Sequence, residues 1–374
     1  MIGRIIGAAG HYNIVRSEIV RAQRLRYGYR GVLNDADISR GRPDDGADSV
    51  VSVLDARVSR IRASPLANEP AHCSYRESIL VFGKSTLIDL HTHTNESDGT
   101  YSPEELVRAA LDADLEALAI SDHDTFAGYD RVASLARAHG LDLVCGIELS
   151  TRMAVGPLTT KNVHLLGYFL REPPSFDFRE WLSEIQSARR ARNQQLVDRL
   201  RERGVEISLA EVQALGRSLT GRPHFARLLV QKGYAENTDQ AFRKYLGESA
   251  PTFVERDSPH LAFAIQQIIA GGGTPVVAHP IRLGVRDFEQ EESLIAEMRD
   301  MGMLGIEAYH SDHNAHDMSR YVALAEKYGM SVSGGSDFHG AAKPRISLGS
   351  GYNGNLNIPR EVLDRLRESS LVAG

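Results

Sequence analysis

The sequence predicts an α/β protein built on a parallel sheet, and three observations support this fold class. From Leu87 onward, short apolar runs alternate with segments that have helical spacing, which is typical of βαβ units. Histidines and acids follow many of the apolar runs, and strand ends on one side of a barrel are where such enzymes carry their chemistry. The alternation is interrupted over residues 172–257, which predicts a small all-helical insertion.

The elements before the insertion can be assigned in chain order. Residues 87–90 have the composition of a buried strand. Ser102 then begins a helix as its N-cap, with Pro103 at the first helical position and Glu105 closing a capping box. The pattern continues with a strand over residues 115–120, a helix over 127–139, and strands over 141–150 and 162–169.

The insertion is expected to begin with a long helix over residues 178–203, where Trp181, Ile185 and Leu196 recur at helical spacing and Gly204 ends the pattern. Three shorter helices are predicted over residues 209–215, 223–232 and 239–246. The barrel pattern then resumes with helices over residues 258–270, 291–301 and 315–328 and strands over residues 274–278, 305–309 and 331–333.

Residues 1–86 differ from the rest because they show no sustained periodicity and no chemical motif. A helix over residues 14–25 and a strand over residues 49–58 are the elements they suggest. We expect a poorly ordered extension, with an accessory or nucleic-acid-binding arm as the alternative. The predicted organisation is therefore an extension (1–86), a first barrel part (87–171), the helical insertion (172–257) and a second barrel part (258–374).

Composition limits the classes of function. The 374 residues carry a net charge of −6, which disfavours broad coating of nucleic acid but allows a small basic pocket. Cys73 and Cys145 form no redox or metal-binding spacing, which favours a reducing cytoplasm. No apolar run approaches the roughly 18 residues of a membrane span. We expect a cytoplasmic protein with no membrane partner and no stable protein partner.

Histidines and acids at strand ends predict a metal centre. His91 and His93 are spaced so that both imidazoles lie on one face of a strand, and Asp98 follows in a loop. A single histidine is more often an ordinary core or surface residue, but this grouping favours metal ligation. Imidazole and carboxylate without thiolate suit Zn, Mn or Fe.

Further candidate ligands follow other apolar runs. Glu148 has apolar neighbours, where an unpaired carboxylate is costly to bury and a metal ion offsets the cost. The remaining candidates are His123, His164, His279, Asp337 and His339. Asp122 is expected to orient an imidazole, and Asp124 either lies behind the ligands or caps a helix. Arg282 and His310 are further candidates for a position behind the ligands or for contact with substrate.

A candidate phosphate clamp lies in the insertion. Thr220 to Arg227 begin a helix, and helix N-termini and arginines both bind phosphate. Arg222, His224 and Arg227 are the predicted substrate-binding residues, against the alternative of an ordinary helix start with a solvated face. His313 and His316 are one helical turn apart, but a polar loop before a helix is the favoured interpretation.

Several short segments together resemble a known family. They are D-L-H-T-H at residues 89–93, S-D-H-D-T at 121–125, G-I-E-L-S at 146–150, H-L-L-G at 164–167, A-H-P at 278–280 and G-S-D-F-H at 335–339. They resemble the PHP (polymerase and histidinol phosphatase) domain family of metal-dependent phosphoesterases. Within it, the chain is similar to enzymes acting on nucleoside 3′,5′-bisphosphates and short RNA, and the resemblance covers roughly residues 87–370.

The resemblance implies a distorted (β/α)7 TIM-like barrel, the PHP fold, with two or three divalent ions. Mn or Fe is expected, with Zn as the alternative. The implied ligand sets are His91, His93, Glu148 and Asp337 for one ion, Glu148, His164 and His279 for a second, and Asp98, His123 and His339 for a third.

The expected function is hydrolysis of a nucleotide phosphoester. A metal-bound hydroxide would attack phosphorus in line, and no residue is assigned as the acid that protonates the leaving group. The expected substrate is a nucleoside 3′,5′-bisphosphate or the 5′ end of a short RNA, with one phosphate on the metals and the other on Arg222 and His224. The alternatives are a histidinol-phosphate-type phosphatase, an amidohydrolase-type C–N hydrolase and a non-catalytic PHP module.

Overall fold

The structure is a computed structural model that describes residues 87–155 and 159–372. The predicted helix over residues 14–25, the predicted strand over residues 49–58 and the expected extension lie outside the described residues. None of the described helices is both long enough and apolar enough to cross a membrane.

A seven-stranded sheet forms the centre of the described part. Its strands, which are hydrogen-bonded in chain order, are β1 (Leu87–Thr92), β2 (Leu115–Ile120), β3 (Asp142–Ala154), β4 (Thr160–Phe169), β5 (Thr274–Val277), β6 (Gly305–His310) and β7 (Ser331–Gly335). The two edges approach each other, because His93 N donates to Phe338 O at 2.9 Å and Asp337 N donates to His91 O at 2.8 Å. The sheet is therefore a nearly closed barrel of seven strands, as the sequence predicts.

The directions of the strands correct the expectation of a wholly parallel sheet. β1, β2 and β3 are parallel, and so are β5, β6 and β7, but β4 is antiparallel to both of its neighbours. The cause is the connection between β3 and β4, which is only five residues long. A parallel pair needs a crossover of a dozen or more residues, so a connection of this length makes the two strands antiparallel.

Helices surround the sheet and build the insertion. They are α1 (Pro103–Asp112), α2 (Ala127–Ala138), α3 (Phe176–Arg201), α4 (Leu209–Gln213), α5 (Arg222–Gln231), α6 (Thr238–Ala241), α7 (Leu261–Ala270), α8 (Phe288–Asp300), α9 (Ala315–Lys327) and α10 (Glu361–Val372). The capping box of Ser102 and Glu105 is present at the start of α1. A π-helical turn, Phe242–Leu246, follows α6.

Helix α7 begins three residues later than the sequence predicts. Residues 258–260 remain extended because they run beside β3, where Arg152 N donates to Pro259 O at 3.0 Å and residue 152 pairs with residue 260. This extended segment carries the chain from the insertion back to the barrel.

The insertion has an apolar core of its own. Leu196 and Leu200 of α3 pack with Phe225 and Leu229 of α5 and with Leu246. A separate cluster beneath the barrel joins Ile147 and Leu165 of the sheet to Ile265 of α7 and Ile295 of α8. Helix α3 joins the two parts, because its residues Phe178 and Leu182 belong to the barrel cluster.

Candidate metal centre

The strands bring all nine predicted ligands to one end of the barrel. His91 lies on β1 and His93 directly after it, His123 follows β2, and Glu148 and His164 lie on β3 and β4. His279 follows β5, while Asp337 and His339 follow β7. Gly335 makes the close approach of β7 to β1 possible, because a Cβ there would lie 2.2 Å from Cβ of His91.

One group of four buried residues consists of His91, His93, Glu148 and Asp337. The two Nε2 atoms of the histidines lie 3.1 Å apart. Glu148 Oε2 lies 3.3 Å from His91 Nε2 and 3.2 Å from His93 Nε2. Asp337 Oδ1 lies 3.7 Å and 3.4 Å from the same two atoms. Four donor atoms therefore face a common point.

The other oxygen of Glu148 faces a second set of imidazoles. Oε1 lies 2.7 Å from His164 Nδ1 and 3.0 Å from His279 Nε2. Since its two oxygens face different histidines, Glu148 has the arrangement of a carboxylate that bridges two ions.

A third group surrounds Asp98, together with His93, His123 and His339. Asp98 Oδ1 lies 3.3 Å from His339 Nε2 and 3.8 Å from His93 Nδ1, while Oδ2 lies 3.8 Å from His123 Nε2. His123 also approaches the shared carboxylate, because its Nδ1 lies 3.1 Å from Glu148 Oε2.

The donor spacing fits bound metal ions. Ligand atoms at about 2.1 Å from one ion lie about 3.0–3.4 Å from one another, which matches most distances in the first group. His123 Nδ1 is buried without a hydrogen bond despite its proximity to Glu148. Adjacent donor atoms with no hydrogen bond between them are what a coordinated ion would hold. Nitrogen and oxygen donors suit Mn, Fe or Zn.

The electrostatics of the centre also suit cations. Burial lowers the pKa of His123 and of His279 to about 3, so both imidazoles are neutral and offer a lone pair. Burial opposes ionisation of Glu148, but His123, His164 and His91 outweigh it and hold its pKa well below the usual range. Neutral imidazole and ionised carboxylate are the forms that ligate a metal ion. Asp337 and Glu148 instead raise the pKa of His93 to about 9 against the opposing effect of burial, so an ion bound there would displace a proton.

Glu307 is a member of this site that the sequence analysis missed. Its Oε1 lies 2.8 Å from His91 Nδ1, and its Oε2 accepts a hydrogen bond from His279 N at 2.6 Å. Glu307 thereby fixes the side of His91 that faces away from the ligand group. Its sequence does contain a signal, because Glu307 is a charged residue within an apolar strand. The same signal identified Glu148 as a candidate.

The two acids after β2 hold loops in place. Asp122 contacts the loop after β1 rather than an imidazole: it accepts hydrogen bonds from Thr94 N at 2.8 Å and Ser97 Oγ at 2.5 Å. The charge of His93 also acts on Asp122, and the predicted role of Asp122 in orienting a histidine stays a prediction. Asp124 instead pairs with Arg189 of α3 at 2.6 Å and with Arg256 at 2.9 Å.

Two basic side chains contact the carboxylate of Asp337, a candidate ligand. Its Oδ2 accepts from Arg282 Nη1 at 2.9 Å and from Lys343 Nζ at 2.6 Å, while His310 Nε2 lies 3.7 Å away. Arg282 and His310 therefore occupy the predicted position behind a ligand. His313 donates toward Ala308 O and lies beside Tyr321 rather than with the ligands.

Backbone strain is present at the centre. Asp124, His279 and Asp337 have φ angles of 54°, 26° and 58°, a region that non-glycine residues seldom adopt. Such conformations persist where the surroundings enforce them, and they cluster at functional sites.

The predicted phosphate clamp is divided between two faces of α5. Arg222 lines a cavity of about 440 Å³ that adjoins the metal ligands. His224 is fully buried, its Nδ1 accepts from Gly221 N, and its Nε2 has no partner in the described structure. Arg227 likewise has unpartnered Nε and Nη2 atoms. The charge of Asp98 acts on both His224 and Arg227, so these two residues lie on the side of the third ligand group.

The cavity contains further arginines that the sequence analysis missed. Those lining it in addition to Arg222 are Arg152, Arg189, Arg192 and Arg256. Asp98, His123 and His164 line the same cavity. The candidate ligands and an arginine cluster therefore face one continuous space.

Comparison with known proteins agrees with this geometry. A model of the PHP domain matches residues 89–248. The chain is 32% identical over 252 residues to a 5′-3′ exoribonuclease of Haemophilus influenzae, covering 67% of this chain and 89% of that protein. The chain belongs to the PHP family.

Other PHP relatives support the assignment. A 3′,5′-nucleoside bisphosphate phosphatase of Chromobacterium violaceum is 31% identical over 263 residues, which cover 67% of this chain and 87% of that protein. A Bifidobacterium adolescentis structure assigned as a metal-dependent phosphoesterase superposes with a TM-score of 0.63 and 29% identity, covering 77% of this chain and 96% of that one. The PHP chain is therefore an enzyme, a metal-dependent hydrolase of phosphoester bonds.

Proposed function

We propose that the chain removes the 3′-phosphate of nucleoside 3′,5′-bisphosphates and degrades short RNA from its 5′ end. A single observation carries the proposal: one cavity is lined both by candidate metal ligands and by five arginines. A phosphoester held by the ligand groups can therefore carry a second phosphate that reaches the arginines. The names of the two relatives favour these substrates.

The nine residues of the three ligand groups would hold two or three ions, with Mn or Fe proposed and Zn as the alternative. Bound ions would lower the pKa of water and offset charge on the phosphoryl oxygens. Overall, a water oxygen forms a bond to phosphorus, the ester P–O bond breaks, and the departing alcohol oxygen gains a proton.

Residues of this chain would orient the phosphoester. Buried nitrogen atoms of His224 and Arg227 lack hydrogen-bond partners among the described residues, and the charge of Asp98 acts on both side chains, which supports contact with the phosphate that is hydrolysed. Arg222 faces the cavity, which supports contact with the second phosphate. The loop that carries Asp98 is tied to the insertion, because Arg217 N donates to Asn95 O at 3.1 Å. The insertion and the ligand loop are thus joined by backbone hydrogen bonds.

The decisive assay measures phosphate release by Mn-loaded protein from adenosine 3′,5′-bisphosphate and, in parallel, from histidinol phosphate. A short 5′-phosphorylated RNA is tested beside them by the release of nucleoside monophosphates. Turnover of the bisphosphate or the RNA, abolished by a chelator and restored by Mn, is the expected result. Turnover of histidinol phosphate alone would replace the nucleotide proposal with the amino-alcohol phosphatase alternative.

A further inference from the structure

One buried carboxylate of the ligand loop, residues 94–99, has its contacts outside the metal centre. Glu96 is 5% exposed and lies two positions before Asp98, but it belongs to none of the described ligand groups. Its Oε2 accepts from Ser218 Oγ of the insertion, and its Oε1 lies 3.4 Å from Arg131 Nη1 of α2. An unpaired buried carboxylate is costly, so these two contacts determine where the Glu96 side chain lies.

The backbone beside Glu96 is joined to the insertion as well. Arg217 N donates to Asn95 O at 3.1 Å, and Leu219 N donates to Glu96 O at 3.0 Å. These two donors are the residues on either side of Ser218. One three-residue segment of the insertion, residues 217–219, therefore makes both the backbone contacts and the side-chain contact with the ligand loop.

The same segment continues into the start of α5. Thr220 O accepts from Arg189 Nε at 3.1 Å and from Asn193 Nδ2 at 2.9 Å, so α3 fixes the segment at its far end. Gly221 N then donates to His224 Nδ1 at 3.1 Å. Within five residues, the chain passes from its contacts with the ligand loop to its contact with His224, a residue proposed to bind phosphate.

The ligand loop is held from two sides, and Asp98 lies between them. On the barrel side, Asp122 accepts from Thr94 N at 2.8 Å and from Ser97 Oγ at 2.5 Å. On the insertion side, the loop is held by the contacts of Glu96. Functional groups need to be held within about 0.5 Å of their productive positions, so the loss of either support should displace the carboxylate of Asp98.

We propose that Glu96 is a positioning residue, which links the ligand loop to Ser218 of the insertion and thereby fixes Asp98 for binding its ion. The insertion then determines how tightly the ligand group of Asp98 holds that ion. This inference rests on the proposed function only in requiring that the Asp98 group binds an ion, and it does not depend on which phosphoester is hydrolysed.

Titration of metal-free protein with Mn tests the proposal without substrate. Isothermal titration calorimetry first identifies the ion that is lost in Asp98→Asn. Glu96→Ala should weaken the binding of this ion about tenfold and leave the binding of the other ions unchanged. The matched control is Glu104→Gln, because Glu104 pairs with the same Arg131 at 2.6 Å but lies on α1, and it should not change Mn affinity. Unchanged Mn affinity in Glu96→Ala would overturn the proposal.

A double variant separates positioning from a general structural role. Because Glu96 acts through Asp98, adding Glu96→Ala to Asp98→Asn should cause no further loss of Mn binding. Effects that act through one shared group are not additive, whereas independent effects add. Further loss of the remaining ions in the double variant would show that Glu96 supports the whole end of the barrel, and the proposal would be wrong.

Ser218→Ala keeps the test possible if Glu96→Ala does not fold. Ser218 is exposed, so its substitution should leave the melting temperature almost unchanged. It removes the side-chain donor of the insertion and should weaken the binding of the same ion, by less than Glu96→Ala does. Ser249→Ala, at another exposed serine of the insertion, is the control. A folded Ser218→Ala variant that binds Mn as tightly as the control would contradict the link.

Kinetics distinguish this inference from the proposed function. With adenosine 3′,5′-bisphosphate, Glu96→Ala should lower kcat at limiting Mn and recover it at saturating Mn. The KM for the bisphosphate should stay unchanged, because Glu96 is not among the residues that line the cavity. Loss of turnover that saturating Mn does not restore would overturn the inference. Expected Mn shifts without any turnover by the unchanged protein would keep the inference and refute the proposed function.

Discussion

The metal centre and the arginine cavity adjoin each other but balance their charges in opposite ways. In the metal centre, the carboxylates of Asp98, Glu148 and Asp337 each face imidazoles or cations. The cavity is lined by five arginines and three acids, and Nε of Arg192 has no hydrogen-bond acceptor among the described residues. The first region has the donor atoms of a metal site, whereas the second has an excess of positive charge. Substitutions in the metal centre should therefore lower metal binding and turnover, whereas substitutions in the cavity should weaken substrate binding.

The largest effect is expected from removing the charge of Glu148, whose two oxygens face five histidines in all. Glu148→Gln should lower phosphoester turnover at least about a thousandfold, because it removes several kcal/mol of ion-dependent stabilisation. The metal content per chain, measured by elemental mass spectrometry, should fall as well. Glu116→Gln, an exposed acid on β2, is the matched control. Full metal content and activity in Glu148→Gln would contradict a shared carboxylate.

The junction of the two regions is Asp124, and its removal should mainly affect stability. Asp124→Asn leaves Arg189 and Arg256 without their buried partner, which should lower the free energy of unfolding by about 3–5 kcal/mol. Asparagine tolerates the positive φ of residue 124, so the substitution should not add backbone strain that would itself lower the free energy of unfolding. Urea denaturation measures the difference.

The control for Asp124 is a surface ion pair that also involves an arginine of helix α3. Asp130 pairs with both terminal nitrogens of Arg179 at 2.8 and 2.9 Å, but the side chains are 47% and 37% exposed. Asp130→Asn should therefore cost less than about 1 kcal/mol. Equal losses in the two variants would show that Asp124 contributes no more than a solvated pair.

The two regions also differ in how far the sequence predicts them. Histidines and acids that follow or interrupt apolar runs are unusual residues in an apolar setting, so the sequence alone predicts His91, Glu148 and Asp337 as candidate ligands, and the structure places them in one group. Glu307 has the same setting on β6, but it lies in the middle of that strand rather than at its end. Its role depends on a contact with His91, 216 positions earlier in the chain.

The arginines of the cavity could not be recognised as readily, because arginines on helices are usually solvated. Arg189 and Arg192 nevertheless lie between Ile185 and Leu196 at helical spacing, on the buried face of α3. Their spacing with apolar residues was the signal that could have identified both arginines as buried.

The reversed direction of β4 was missed for a different reason. The alternation of strands and helices does not show strand direction where two strands follow each other with only five residues between them.

A test of moderate size concerns the support of the metal centre by Glu307. Glu307→Gln removes the charge that faces His91 Nδ1 and weakens the acceptor of His279 N. Changes to residues behind metal ligands typically lower metal affinity about 10- to 100-fold. Titration with Mn should show this shift, while Glu326→Gln, an exposed acid on α9, should not. Unchanged Mn affinity would mean that His91 is held sufficiently by its strand.

The smallest effect is expected at Arg222, which lies in the arginine cavity rather than in the metal centre. Its guanidinium lies over the ring of Phe253 at 5.8 Å and reaches the cavity from its half-exposed edge. Arg222→Ala should raise the KM for adenosine 3′,5′-bisphosphate about tenfold, because one hydrogen bond to a charged group is lost. Bound metal should stay constant, since Arg222 contacts none of the ligand residues. Arg243→Ala, an exposed arginine of the same insertion, should change neither quantity. Loss of metal from Arg222→Ala would show that the cavity and the metal centre are one coupled site rather than two with separate tasks.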